Sequence, residues 1–133
     1  LFEEFIMAVQ AQYASTPRAA VGQVSVANTN RDGTGTLATI FTAGSSGSRI
    51  DDIKIQATGT TTAGVVRLFV HDGTNARLLA ENLVTAVTPS TTVEAWSTTL
   101  LNQAIVLPNG WSLRASTNNG ETFNVLVTRA GDF

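Results

Sequence analysis

The feature that most constrains this chain is the recurrence of turn signals. Asn30-Arg31-Asp32-Gly33, Gly44-Ser45-Ser46-Gly47-Ser48, His71-Asp72-Gly73-Thr74-Asn75, Thr88-Pro89-Ser90, Pro108-Asn109-Gly110 and Asn118-Asn119-Gly120 all interrupt it, and residues 59–64 do the same. Such residues bend the backbone by supplying a positive φ, a fixed φ or a local side-chain hydrogen bond. What lies between the signals is short and alternates. Ile53, Ile55 and Ala57 alternate with Asp52, Lys54 and Gln56, and Trp111, Leu113 and Ala115 with Ser112 and Arg114. Phe123, Val125 and Val127 alternate with Asn124 and Leu126. A period of two marks half-buried strands. Two stretches, residues 37–41 and 65–70, are apolar on both faces, which requires cover on both sides. The Asp72-Gly73 turn is the strongest hairpin signal, with residues 77–81 as the returning strand.

Eight or nine strands recurring roughly every 8 to 14 residues, with no helical pattern after residue 18, predict an all-β fold. A β-sandwich, jelly-roll-like, fits the strand count, and a barrel is the competing closure. No fixed-period repeat and no linker divides residues 19–133, so one sandwich domain is expected there, behind an N-terminal arm at 1–18.

The composition agrees. Charged residues are 14% and hydrophobic residues 43% of 133, the reverse of the balance that keeps a chain disordered. There are 20 threonines, and the surface draws its polarity from hydroxyls and amides more than from charge. Net charge is −2, which leaves no basic face large enough for a nucleic-acid backbone. No apolar run approaches the roughly 18 residues of a membrane span. Cysteine is absent and histidine occurs once, so disulfides, thiol catalysis and multi-histidine metal sites are excluded within one chain.

The first 13 residues differ from the rest. Leu1, Phe2, Phe5, Ile6, Val9 and Tyr13 fall near helical spacing with polar residues between them, as in an amphipathic arm that docks on a partner. A second reading treats residues 1–6 as translated leader: Glu3-Glu4 can be encoded by a purine-rich ribosome-binding sequence ahead of a start at Met7. The two readings stand side by side.

Chemistry-bearing candidates are few. His71 ends a strand beside Asp72, and strand neighbours point to opposite faces, so Asp72 is expected to cap the turn. Apart from Glu3-Glu4, Asp51-Asp52 is the one adjacent acid pair, next to Arg49 and Lys54, without the ligand density that calcium needs. Nothing places Glu81, Glu94 or Glu121 as a glycosidase pair. No nucleophile elbow, phosphate loop or zinc motif occurs. The chain is therefore expected to be non-enzymatic, with no catalytic, cofactor-binding or metal-binding residues and no cofactor. Trp111 is expected in the core with Leu113 and Ala115, and Trp96 nearer the surface. Phe2, Phe5, Ile6, Val9, Tyr13, Phe69 and Trp96 form the candidate interface set. A homo-oligomer, trimer or dimer, is the expected cover for the two-sided strands.

Residues 59–73, Gly-Thr-Thr-Thr-Ala-Gly-Val-Val-Arg-Leu-Phe-Val-His-Asp-Gly, and residues 107–116, Leu-Pro-Asn-Gly-Trp-Ser-Leu-Arg-Ala-Ser, together with the ending Ala130-Gly131-Asp132-Phe133, carry a resemblance. The chain resembles, over residues 8–133, small virion structural proteins of tailed bacteriophages and prophages. Leu1 to Ile6 fall outside it. The resemblance implies a β-sandwich in the phage particle, assembled in the host cytoplasm: a capsid decoration or cement protein bound to the major capsid protein or other virion proteins. Head fibre, neck or tail components are the alternatives within that class, and a carbohydrate-binding module presenting Trp96 is the alternative outside it. Neither a nucleic-acid nor a membrane partner is expected.

Overall fold

The computed structural model describes residues 14–133. Nine strands follow in order: β1 (Thr16–Val24), β2 (Ala38–Thr42), β3 (Ser48–Ala57), β4 (Gly64–His71), β5 (Ala76–Val84), β6 (Ser97–Leu100), β7 (Ile105–Leu107), β8 (Ser112–Thr117) and β9 (Phe123–Asp132). One sheet has the order β1-β9-β3-β6, with β7 also on β3; the other has the order β2-β8-β4-β5. Every ladder is antiparallel. β6 and β7 occupy one lane along the same side of β3, so the nine strands fill eight positions. Apart from the β4–β5 hairpin and the β6–β7 pair, successive strands switch sheets, as in a jelly roll. There is no helix among the described residues.

Alternation explains which side chains meet. Ile53, Ile55, Val125, Val127 and Phe123 project from the first sheet, and Val66, Leu68, Leu113 and Ala115 from the second, into one continuous core. Two irregularities adjust the phase. Ile50 and Ile53 are both fully buried although three positions apart, because the β3 register against β9 shifts around Asp52. In β2 the register shifts between Thr39 and Phe41, and the adjacent Ile40 and Phe41 both join the core. The two-sided burial expected for residues 37–41 is thus a bulge that turns two neighbours inward, not a strand covered from both sides.

All four sheet margins are broken. β1 carries Pro17 and a register shift between Arg18 and Ala20. β2 is bulged as above. β5 has Leu79 as an extra residue, since Leu68 pairs with Ala80 and Phe69 with Leu78. The fourth margin is split into β6 and β7. Interrupted ladders are poor templates for adding a strand from another chain. The sandwich also starts earlier than the expected boundary at residue 19. Thr16, Pro17 and Arg18 belong to β1, with Arg18 bonded to Asp132 at 3.1 Å and stacked 4.0 Å over the Phe41 ring.

Candidate functional site

The second sheet has an outer face that the chain itself covers. Phe69 is 0% exposed yet lies outside the main core cluster, because it points away from Leu68 and the sandwich interior. The cover is the β1–β2 connection. Asn28 N–H donates to Thr117 O at 2.8 Å, and the buried Arg67 donates from Nη1 to Asn28 O at 3.3 Å. Arg67 also donates from Nε to Glu81, which accepts from Arg31 of the connection at 2.8 Å. Gly33 lies so close to the backbone of Ala76 that a Cβ there would clash with its carbonyl oxygen, and its φ is +89°. Only glycine fits both demands. Phe69 is therefore unavailable to a partner, and the neighbouring subunit expected as its cover is not needed.

The connection is internally tied. Asn28 donates through Nδ2 to the carbonyls of Thr34 and Thr36, each at 3.0 Å, and accepts at Oδ1 from Asn30 N–H. Asp32 accepts from the N–H and the hydroxyl of Thr34, and these bonds, the hydroxyl first, hold its carboxyl below its ordinary value. Between residues 32–37 and the β4–β5 hairpin lies a cleft of about 460 Å³, with His71, Arg77 and Arg114 in its lining. Arg114 projects outward because Leu113 and Ala115 face the core, and its Nε donates to Ser112 Oγ at 3.1 Å. Ser112 pairs directly with His71 across β8 and β4.

His71 and Asp72 are absorbed by the turn. Asp72 Oδ1 accepts from the N–H groups of Thr74 and Asn75, and His71 Nδ1 accepts from Gly73 N–H at 3.1 Å. Asp51 and Asp52 serve the first sheet. Asp51 pairs with Arg49 at 2.9 Å, while Asp52 pairs with Arg129 and accepts from Asn102 N–H. Those bonds, Arg129 first, lower the Asp52 pKa. They also anchor the β6–β7 break, where Asn102 and Ala104 adopt positive φ. No group of three or more metal-ligating His, Cys, Asp or Glu side chains occurs among the described residues, and no helix there is long and apolar enough to cross a membrane.

Of the candidate interface set, Phe2, Phe5, Ile6, Val9 and Tyr13 lie outside the described residues. Trp96 is half-buried and meets Phe123 edge-on, with ring centroids 5.8 Å apart. Trp111 is also half-buried and packs on the core just ahead of β8. The two tryptophans thus share a setting that the sequence divides between core and surface. Exposed apolar side chains lie elsewhere: Leu83 at 77%, Leu79 at 43% and Leu78 at 38% cluster on β5, Val21 at 71% stands on β1, Leu101 and Val106 flank the β6–β7 break, and Val26 and Val93 lie in loops. The signal in β5 is a run of leucines that breaks strict alternation. No family model matches this chain, and no curated protein matches it.

Proposed function

We propose that this chain is a non-enzymatic structural protein of a phage particle, a capsid decoration or cement protein that binds and stabilises the head shell. What carries the reading is β5, an edge strand with three exposed leucines whose bulged ladder disfavours strand addition. Such a strand suits side-chain packing against another protein. The jelly roll supports the same reading, as one of the architectures of viral capsid domains. So do His71, Asp72, Asp51 and Asp52, whose hydrogen bonds and ion pairs hold turns and strands in place. A head fibre, neck or tail role is the alternative within the particle. The partners would be the major capsid protein or other virion proteins, with the chain itself a trimer or dimer.

The test is quantitative mass spectrometry and cryo-microscopy of purified particles of the encoding phage. Many copies spread over the head shell are expected. A few copies at the neck or tail would favour the alternative, and absence from the particle would overturn both.

A further inference from the structure

Five of the seven arginines meet a carboxylate: Arg18, Arg31, Arg49, Arg67 and Arg129. Among the described residues Arg77 and Arg114 form no ion pair, Arg77 acting on Asp72 only at longer range, and both belong to the lining of the cleft between residues 32–37 and the β4–β5 hairpin. Arg114 is half-buried, and its Nε bond to Ser112 Oγ orients the guanidinium, whose two terminal nitrogens have no hydrogen-bond partner among the described residues. A partly desolvated guanidinium with free ends is strongly complementary to a carboxylate, which it can grip through two parallel N–H···O bonds. Beside it, His71 accepts at Nδ1 from Gly73 N–H, so Nε2 carries the ring proton and is a donor. The one carboxylate of the lining, Asp32, is engaged by Thr34 of its own loop.

We propose that this cleft is a carboxylate receptor, and that its occupant is an acidic segment of a partner protein. The wall supports a peptide over a sugar. Among the described residues no Phe, Tyr or Trp lines the cleft for a sugar ring to stack on, whereas unpaired guanidiniums suit the carboxylates of an acidic peptide. The wall is already held by the Asn28 amide, so little ordering is needed on binding. The proposal rests on the reading of the chain as a protein-binding component, but it does not require a phage particle, so the two are measured separately.

The experiment is an NMR titration of the labelled protein, following backbone amides and arginine Nε–H groups. The probes are tetraglutamate, tetraglutamine and a tetragalacturonate. Tetraglutamate at millimolar concentration should give saturable shifts confined to residues 32–37, His71, Arg77 and Arg114, and tetraglutamine none. An Arg77→Gln, Arg114→Gln double variant should bind about tenfold more weakly or worse. If the double variant fails to fold, Arg77→Gln alone, on an exposed edge position, must still weaken binding while the Arg114 Nε–H resonance shifts in the unaltered protein. No saturable shift, shifts elsewhere, or binding untouched by the substitutions would overturn the proposal. Preference for the galacturonate would overturn the protein occupant in favour of an acidic glycan. Tetraglutamate binding by a protein absent from particles would leave this proposal standing and remove the virion role.

Discussion

Leu68 and Phe69 are consecutive and both fully buried, one in the sandwich and one beneath the β1–β2 connection. If that connection is an integral layer, Phe69→Ala should cost about 3–5 kcal/mol, as for a core aromatic. A merely draped loop would give a surface-like change within about 0.5 kcal/mol. Urea unfolding of the variant distinguishes the two. The apolar character of both faces of residues 65–70 was legible in the sequence. The identity of the cover was not, because a period of two reports that a face is buried and is silent on what buries it. Gly33 illustrates the same limit. It is plain as a turn residue, but its second task, close approach to Ala76 more than forty positions away, belongs to the fold.

At the scale of elements, turn chemistry is the most dependable guide. The Asp72 turn closes β4 onto β5 through bonds entirely local to residues 71–75. Bulges are harder to see, since one extra residue resembles ordinary noise in a short pattern; Ile40 with Phe41, and Ile50 with Ile53, show it. The tryptophans sit at element ends and differ less than their alternation suggests. Trp96, ahead of β6, abuts Phe123 of β9, and Trp111 is placed by its N–H donating to Pro108 O at 3.0 Å. Both are half-buried, so Trp96→Ala and Trp111→Ala should each destabilise by about 2–3 kcal/mol, below the cost of a fully buried ring. Thermal melts showing one variant unaffected and the other severely destabilised would contradict this packing.

Across the molecule, hydrogen bonds and ion pairs lower the pKa of five acids, Asp32, Asp52, Asp72, Glu81 and Asp132. Asp132 is lowered by Ser48 and then Arg18, Asp52 by Arg129 and Asn102, Glu81 by Arg31 and then Arg67, and Asp72 by the N–H groups of Asn75 and Thr74. A carboxyl depressed in the folded state adds stability that is complete above its unfolded pKa, about 4, and is lost as pH falls through the folded value. The melting temperature should therefore be flat from about pH 8 to 5 and fall below about 4. Asp52→Asn should make that fall shallower. An unchanged midpoint down to about pH 2 would contradict it. The proposed self-association has the opposite sensitivity. With few charges and broken sheet margins, it should use apolar side chains such as those of β5 and survive high salt. Sedimentation at low and high salt checks this: a monomer in both would remove the oligomer, and dissociation by salt alone would remove the apolar contact. What the sequence by itself determined is the all-β class, the approximate strands and the principal hairpin, because period and turn chemistry are local properties of the chain. Only the tertiary structure decided the order of strands in two sheets, the loop laid over Phe69 and the meeting of Arg114 with residues 32–37. Each depends on pairings between distant segments, set by the joint burial of many side chains and carried by no short motif.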